Sequence, residues 1–369
     1  MKFRCKQQIL AKAVNIVSKA VSLRTTIPIL KGILIKAENG KIRMYASNLD
    51  IAISDTIEAD VEEEGSIVVT AKLFGNIIRK MPSTDIEIES EEGTENNVFI
   101  RCSTSNFKIV GMAVDDFPVM NVERSDDFIT FDKKSLGDMI EKTAFAASID
   151  EARGIITGVL IEMKEDEMNM VAIDGYRMAI TRKAHVSPNP EKIIISVKTL
   201  SEVSRILSDM ENEENEVRLY LNDKKAIFEI GNVEADLKIM EGDFINYKDI
   251  IPKESKINIK IEKDILLDSI ERASLLSKAG KNNLICMNVK GDVVTITSNS
   301  EEGDVREELT VEKEGDDIEI GFNAQYIIDV LKNIEDKEIR MLFNEPVKPC
   351  LIEPLEGRDY EYLVLPVRI

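Results

Sequence analysis

The sequence predicts an α+β chain of three tandem repeats, each with two helices packed on antiparallel sheet, and three observations predict it. Stretches with a 3.6-residue apolar period alternate with stretches rich in Val, Ile and Tyr, in the order helix, strands, helix, strands. That order occurs three times at a spacing of roughly 120 residues. The breakers recur with it: Val114-Asp115-Asp116-Phe117 near the close of the first unit is answered by Glu241-Gly242-Asp243-Phe244 near the close of the second. The domains that follow are 1–124, 125–252 and 253–369.

In the first unit, residues 6–24 form an amphipathic helix, with Ile9, Ala13, Ile16, Val17 and Ala20 on one side and Gln8, Lys12, Asn15 and Lys19 on the other. Strands are expected at 29–35 and 41–57, joined by Asn39-Gly40, and at 66–70. A second helix at 71–81 is stopped by Pro82, and strands follow at 86–89, 98–102 and 107–112. The second unit opens with a helix from Phe131 to Ser148, then strands at 155–163, 168–184 and 193–196, a helix at 198–210, and strands at 217–221, 226–230 and 235–240. The third starts at Ile257, with helices at 263–277 and 323–333 and strands at 284–290, 293–298, 305–311, 318–321, 338–343, 350–354 and 360–367.

A chain of 369 residues suits two or three domains, and 43% hydrophobic with 31% charged residues is the composition of a globular protein. Cys5, Cys102, Cys286 and Cys350 are too scattered for a zinc knuckle or a disulfide framework and read as reduced thiols. No apolar run approaches the length of a membrane span, so a cytoplasmic protein is expected. The formal charge of -20 argues against a generic nucleic-acid binder, yet between Arg4 and Arg24 there are five basic residues and no acidic one. Lys72 and Arg79 repeat this on the second helix, whereas Lys198 and Arg205 share theirs with Glu202. The acidic runs at 60–64, 89–95, 162–167, 209–216, 301–304 and 312–317 read as outward turns.

No phosphate loop and no dinucleotide fingerprint is present, and His185 is the only histidine, so catalysis, cofactors and metal sites are not expected. Two further stretches stand out. Asp174-Gly175-Tyr176-Arg177-Met178 interrupts a strand pattern, as a hairpin turn or beside a small groove, and Tyr362-Leu363-Val364-Leu365-Pro366-Val367-Arg368-Ile369 stays apolar almost to its end, as a packed strand or one wall of a binding site.

The whole chain resembles the bacterial DNA polymerase III beta subunits, the replicative sliding clamps. The resemblance rests on Arg24-Thr25-Thr26-Ile27-Pro28-Ile29-Leu30, Asn48-Leu49-Asp50, Asp116-Phe117-Pro118, Asp174-Gly175-Tyr176-Arg177-Met178-Ala179, Gly321-Phe322-Asn323 with Tyr326, and the Leu-Pro-Val-Arg-Ile ending. It implies three DNA-clamp domains per chain, closed as a head-to-tail homodimer ring around duplex DNA. It implies as partners the replicative polymerase alpha subunit, a clamp loader, and other polymerases and repair proteins that dock through short linear peptides. By resemblance Arg24, Lys198 and Asn323 are DNA-facing, alongside Lys12, Lys19, Lys72, Arg79 and Arg205 from the helix patterns. The peptide groove is similar to one built from Ile156, Ile173, Gly175, Tyr176, Arg177, Met178, Ile245, Ile250, Leu363, Leu365, Pro366, Val367 and Arg368, in which Arg177 orients the peptide and Tyr326 lies near DNA or the groove. At the ring seam, Phe107 and Ile109 are expected to pack on Leu275 and Leu276, with Arg101 and Lys108 facing Glu301, Glu302, Asp304, Glu307 and Glu308. Tyr176 and Ile245 stand where histidine and proline are also familiar, and the first edge carries few basic residues, so the seam leans on apolar packing.

The residues alone leave two other readings open. One is a three-repeat protein-binding scaffold that does not encircle DNA; the other is an enzyme with a dispersed cysteine and acid site, which demands turnover lost on mutating Cys102 or Cys286.

Overall fold

A computed structural model describes residues 1–22, 24–91, 96–118, 127–185, 190–210, 215–278 and 283–369. The first repeat runs β1 (Lys2–Lys6), α1 (Gln7–Val17), β2 (Gly32–Glu38), β3 (Lys41–Ser47), β4 (Ile51–Glu58), β5 (Asp60–Glu63), β6 (Gly65–Thr70), α2 (Ala71–Lys80), β7 (Asp85–Ser90), β8 (Asn97–Cys102) and β9 (Ser105–Val110). The second runs β10 (Ile129–Asp132), α3 (Lys133–Ala144), β11 (Gly158–Met163), β12 (Glu167–Ile173), β13 (Arg177–Ala184), β14 (Glu191–Ser196), α4 (Val197–Asp209), β15 (Glu216–Leu221), β16 (Lys225–Ile230) and β17 (Val233–Lys238). The third runs β18 (Ile257–Glu262), α5 (Lys263–Ser277), β19 (Leu284–Lys290), β20 (Val293–Ser300), β21 (Gly303–Thr310), β22 (Glu312–Glu314), β23 (Ile318–Asn323), α6 (Ala324–Lys332), β24 (Glu338–Phe343), β25 (Cys350–Pro354) and β26 (Tyr360–Val364).

Two compact units result, Met1–Gly137 with Lys198–Ile239, and Asp138–Val197 with Met240–Ile369. The first holds a five-stranded sheet, β5-β1-β7-β8-β9, and an eight-stranded one, β10-β15-β16-β17-β4-β3-β2-β6. The second holds a nine-stranded sheet, β14-β11-β12-β13-β26-β25-β24-β18-β22, and a four-stranded one, β21-β20-β19-β23. Sheets thus run through the repeats: β4 pairs antiparallel with β17, and β13 with β26. Both junctions join the same two positions of the repeat, its third long strand and the last strand of the next repeat. The 124/125 boundary lies outside the described residues.

The expected α+β repeats are present, with local corrections. The first helix ends at Val17 and tightens to a 3-10 turn over Ser18–Ala20, leaving Arg24 in the loop beyond it; Ser18 Oγ donates to Val14 O. Ile9 is 48% exposed, because the buried stripe is Leu10, Ala13, Val14 and Val17 with Ile16, while Gln7 is buried and donates through Nε2 to Ile78 O. Short strands β1 and β10 precede the helices and escape the periodicity, being only five and four residues long. The expected strand at 41–57 breaks at Asn48-Leu49-Asp50, where Leu49 has φ +78° and Asn48 Oδ1 accepts from Asp50 and Ile51. Pro28 and Asp150, whose side chain accepts from Ala152 N, open 3-10 turns where strands at 29–35 and 155–163 were expected to begin. The acidic run at 60–64 is mostly the edge strand β5 rather than a turn, and charge suits an exposed edge. The acidic runs at 89–95 and 209–216 lie partly outside the described residues.

Candidate functional site

The strand interruption at Asp174 is a tight hairpin turn between β12 and β13. Gly175 takes φ +89°, and Asp174 Oδ1 accepts from the amides of Tyr176 (2.8 Å) and Arg177 (3.0 Å). A Cβ on Gly175 would stand 2.7 Å from Arg153 Nη2, and Arg153 in turn donates to Asp174 O. Leu365 N donates to Tyr176 O and Val367 N to Gly321 O, both at 2.8 Å, so the apolar ending is tied beside this turn. Below the turn lies an apolar floor of Ile173, Met178, Leu363, Val171, Ile180 and Leu351, with Ile155, Phe244, Ile251, Leu342 and Leu365 partly buried against it.

Most predicted groove residues therefore meet in one unit. Ile173, Met178 and Leu363 form the floor, and Leu365, Pro366 and Val367 are half-buried beside it. Gly175, Tyr176, Ile245, Ile250 and Arg368 are exposed, and Ile156 is buried next to Ile155 in the 3-10 turn. Arg177 is engaged within the chain. Its Nε donates to Asp174 Oδ2 (3.0 Å), its Nη2 to Phe145 O (2.9 Å) and its Nη1 to Asp329 Oδ2, while its guanidinium lies 4.9 Å from the Tyr326 ring centre and 5.3 Å from that of Phe145. These partners tie the Asp174 turn to the Phe145 carbonyl and to α6. Tyr326 stacks on Tyr176 at 5.9 Å, on the groove side of the two places open to it. Asn323 Oδ1 accepts from Gln325 N and so caps α6.

Glu162 was expected in an outward turn but is 2% exposed. It accepts from Lys192 Nζ at 2.8 Å, Tyr247 Oη at 3.0 Å and Asn169 Nδ2 at 3.3 Å. Burial pushes its carboxyl upward, but these bonds and Lys248 outweigh burial and hold it at about 2. Burial, with Glu162 adjacent, pushes the Tyr247 hydroxyl up, so it stays a donor.

In the other unit, Lys12, Lys72, Arg79, Lys198 and Arg24 are exposed. Lys72 and Arg79 border a depression of about 250 Å³ between α1 and α2, and neither makes an ion pair among the described residues. Lys19, by contrast, is half-buried and paired with Asp209 at 2.8 Å, and Arg205 is paired with Glu202 at 2.6 Å. Both carry less available charge than their helix patterns suggested.

Among the strands that end sheets in the described residues are β9, paired only with β8, and β21, paired only with β20. On β9, Phe107 and Val110 are exposed, Val110 by 69%. Ile109, on the same face as Phe107, is buried, and Arg101 is engaged by Glu87 (2.8 Å) and Glu89 (2.7 Å) of its own sheet. Val110 lies on the opposite face of β9, with Lys108. Leu275 on α5 is 70% exposed and Leu276 half-buried, with Glu301, Glu302 and Asp304 exposed near β21. Glu307 is held by Arg272 and Glu308 by Arg306, both within the chain.

Among the described residues no three His, Cys, Asp or Glu side chains form a metal-sized group, and no helix is long and apolar enough to cross a membrane. All four cysteines are free thiols.

Comparison with known proteins matches three consecutive family descriptions: DNA polymerase III beta subunit, N-terminal domain over 1–121, central domain over 130–246 and C-terminal domain over 248–368. A beta sliding clamp of Halalkalibacterium halodurans is 34% identical, with all of both chains covered, and one of Staphylococcus aureus is 32% identical over all of this chain and 99% of the relative. The crystal structure of the DNA polymerase sliding clamp from Bacillus subtilis superposes with a TM-score of 0.95 at 32% identity, covering all of this chain and 99% of that one. A structure from Eubacterium rectale gives 0.94 at 34% identity, with the same coverage.

Proposed function

Since the chain belongs to the DNA polymerase III beta subunit family, the beta sliding clamps, non-catalytic processivity factors of DNA replication, we propose that two copies close head to tail around duplex DNA. The observation that carries this is the pattern of strand junctions. The repeat joins itself twice by pairing its third long strand with the last strand of the next repeat, β4 with β17 and β13 with β26. This leaves the third long strand of the last repeat, β21, and the last strand of the first, β9, each with one open edge among the described residues. A second copy offers β9 and β21 each its complement, and two such joins close six repeats into a ring.

The exposed Phe107 of one copy then packs on the Leu275 side of the other, with Val110 on the opposite face of the joined strand. Exposed Lys12, Lys72, Arg79, Lys198 and Arg24 meet phosphates without reading bases, a contact that slides and weakens with salt. Topological linkage makes the net charge of -20 tolerable. The apolar floor between the Asp174 turn and the C-terminal run takes leucine or phenylalanine anchors of linear peptides from the polymerase alpha subunit, the loader, and other polymerases and repair proteins. Pairing of Arg177 with Asp329 assigns affinity to this floor and to backbone groups.

Retention on nicked circular DNA with a compatible loader, measured together with solution mass, tests the reading. Dimeric mass, retention on circles and loss after linearisation are expected. Equal retention on both DNAs, or a monomer, would favour the protein-binding scaffold.

A further inference from the structure

The segment 240–256 joins the second and third repeats and carries two of the expected groove residues, Ile245 and Ile250. Phe244, Tyr247 and Ile251 turn onto the apolar floor, whereas Ile245 and Ile250 remain exposed. Packing alone does not fix the height of the segment. A cavity of about 370 Å³ lies beneath it, lined by Leu160, Glu162, Lys192 and Ile194 from the sheet and by residues 242–248 from the segment.

A side-chain hydrogen bond from Tyr247 spans that gap, beside the Lys248 ammonium and the Met240 amide, which donates to Ile194 O. A tyrosine buried as deeply as Tyr247 needs a partner for its hydroxyl, and Glu162 Oε2 supplies it at 3.0 Å. A buried carboxylate in turn persists only when compensated. Register provides the compensation, since Glu162 on β11 stands directly across from Lys192 on β14 and Asn169 on β12. Lys248 of the segment adds its ammonium at 3.7 Å. The carboxylate is thus fixed by the sheet before the segment arrives, and the hydroxyl docks onto a preset acceptor.

We propose that Glu162 and Tyr247 are positioning residues of the peptide groove, their bond setting the height at which Ile245 and Ile250 rim the floor of Met178 and Leu363. The inference rests on the groove reading above. It gives the rim a support that touches no peptide, so its loss weakens apolar-anchor peptides while leaving the strand edges and the basic helices intact.

The test is fluorescence anisotropy of a short fluorescein-labelled peptide bearing an adjacent leucine and phenylalanine, titrated with the full chain. Tyr247→Phe and Glu162→Ala should each weaken binding about tenfold, the scale of one hydrogen bond to a charged group. Glu162→Gln, which keeps an acceptor oxygen, should restore it to within about threefold of the unchanged chain. The double variant Tyr247→Phe with Glu162→Ala should be no weaker than Glu162→Ala alone, because both changes remove the same bond. Solution mass and retention on circular DNA should not change. If Tyr247→Phe and Glu162→Ala bind normally while Met178→Ala weakens the peptide, or if the two effects add in full, the positioning role is overturned and the groove stands. If Met178→Ala is without effect, or the unchanged chain does not bind the peptide, the groove reading falls and this inference with it. Tyr247→Phe removes a single oxygen and supplies the decisive result should Glu162→Ala fail to fold.

Discussion

Arg177 on β13 and Asp329 on α6 are joined by a guanidinium-carboxylate bond although 152 residues separate them. The same guanidinium holds Asp174 and the Phe145 carbonyl and lies against the Tyr326 ring. One side chain therefore ties the groove turn to the second helix of the third repeat. Asp329→Ala leaves a largely buried cation short of its partner and should cost about 2–3 kcal/mol of stability, near the lower end for broken buried pairs. Urea denaturation followed by tyrosine fluorescence measures this, and an unchanged midpoint would show the bond to be dispensable.

The seam should respond to Val110 more than to Ile109. Val110→Asp places a charge on the exposed edge strand, so the dimer dissociation constant should rise at least about 100-fold, in line with burying an unpaired charge at an interface. Sedimentation velocity checks it. Arg101→Ala, whose parent side chain is occupied by Glu87 and Glu89, should change the mass distribution little.

On the helix face, Lys72→Glu with Arg79→Glu should weaken DNA retention uniformly across sequences and reduce the salt slope by about 1–2. Lys19→Ala should matter less, since Asp209 already neutralises that ammonium. Retention across a salt series separates the two, and equal losses would contradict the ranking.

Acid should erase the contribution of Glu162. Its carboxyl is held at about 2, below its ordinary 4.5, so the ionised form favours folding above pH 4.5 and that gain is lost as pH falls toward 2. The stability gap between the unchanged chain and Glu162→Gln should be widest above about pH 5 and narrow on acidification. Thermal unfolding at stepped pH measures the gap, and widening on acidification would be the wrong sign.

Much of the site was legible in local sequence. The Asp174 turn follows from Asp and Gly interrupting a strand, and the apolar ending announces a packed wall. Asp329 carried no such signal, because its partner lies in another repeat and pairing of that kind leaves no local period. Glu162 was misread for a related reason: an acid followed by Lys164, Glu165 and Asp166 looks like the start of an exposed turn, and it is residues distant in sequence, Lys192 and Asn169 across the strands and Tyr247 beyond them, that satisfy it. Ile9 faces outward while Gln7 is buried, because a helix stripe tolerates one polar member when a carbonyl such as Ile78 O is within reach.

The sequence by itself determined the three-fold repetition, the α+β order, the turn residues and the island of positive charge, since these depend on local periodicity and on backbone preferences of individual residues. Only the tertiary structure decided which cations stay available, which edge side chains face outward, and which strands keep an open edge. Those outcomes depend on pairing between residues far apart in the chain: Lys19 with Asp209, Arg101 with Glu87, β4 with β17. Such pairings are set by sheet register and burial, which local sequence does not encode.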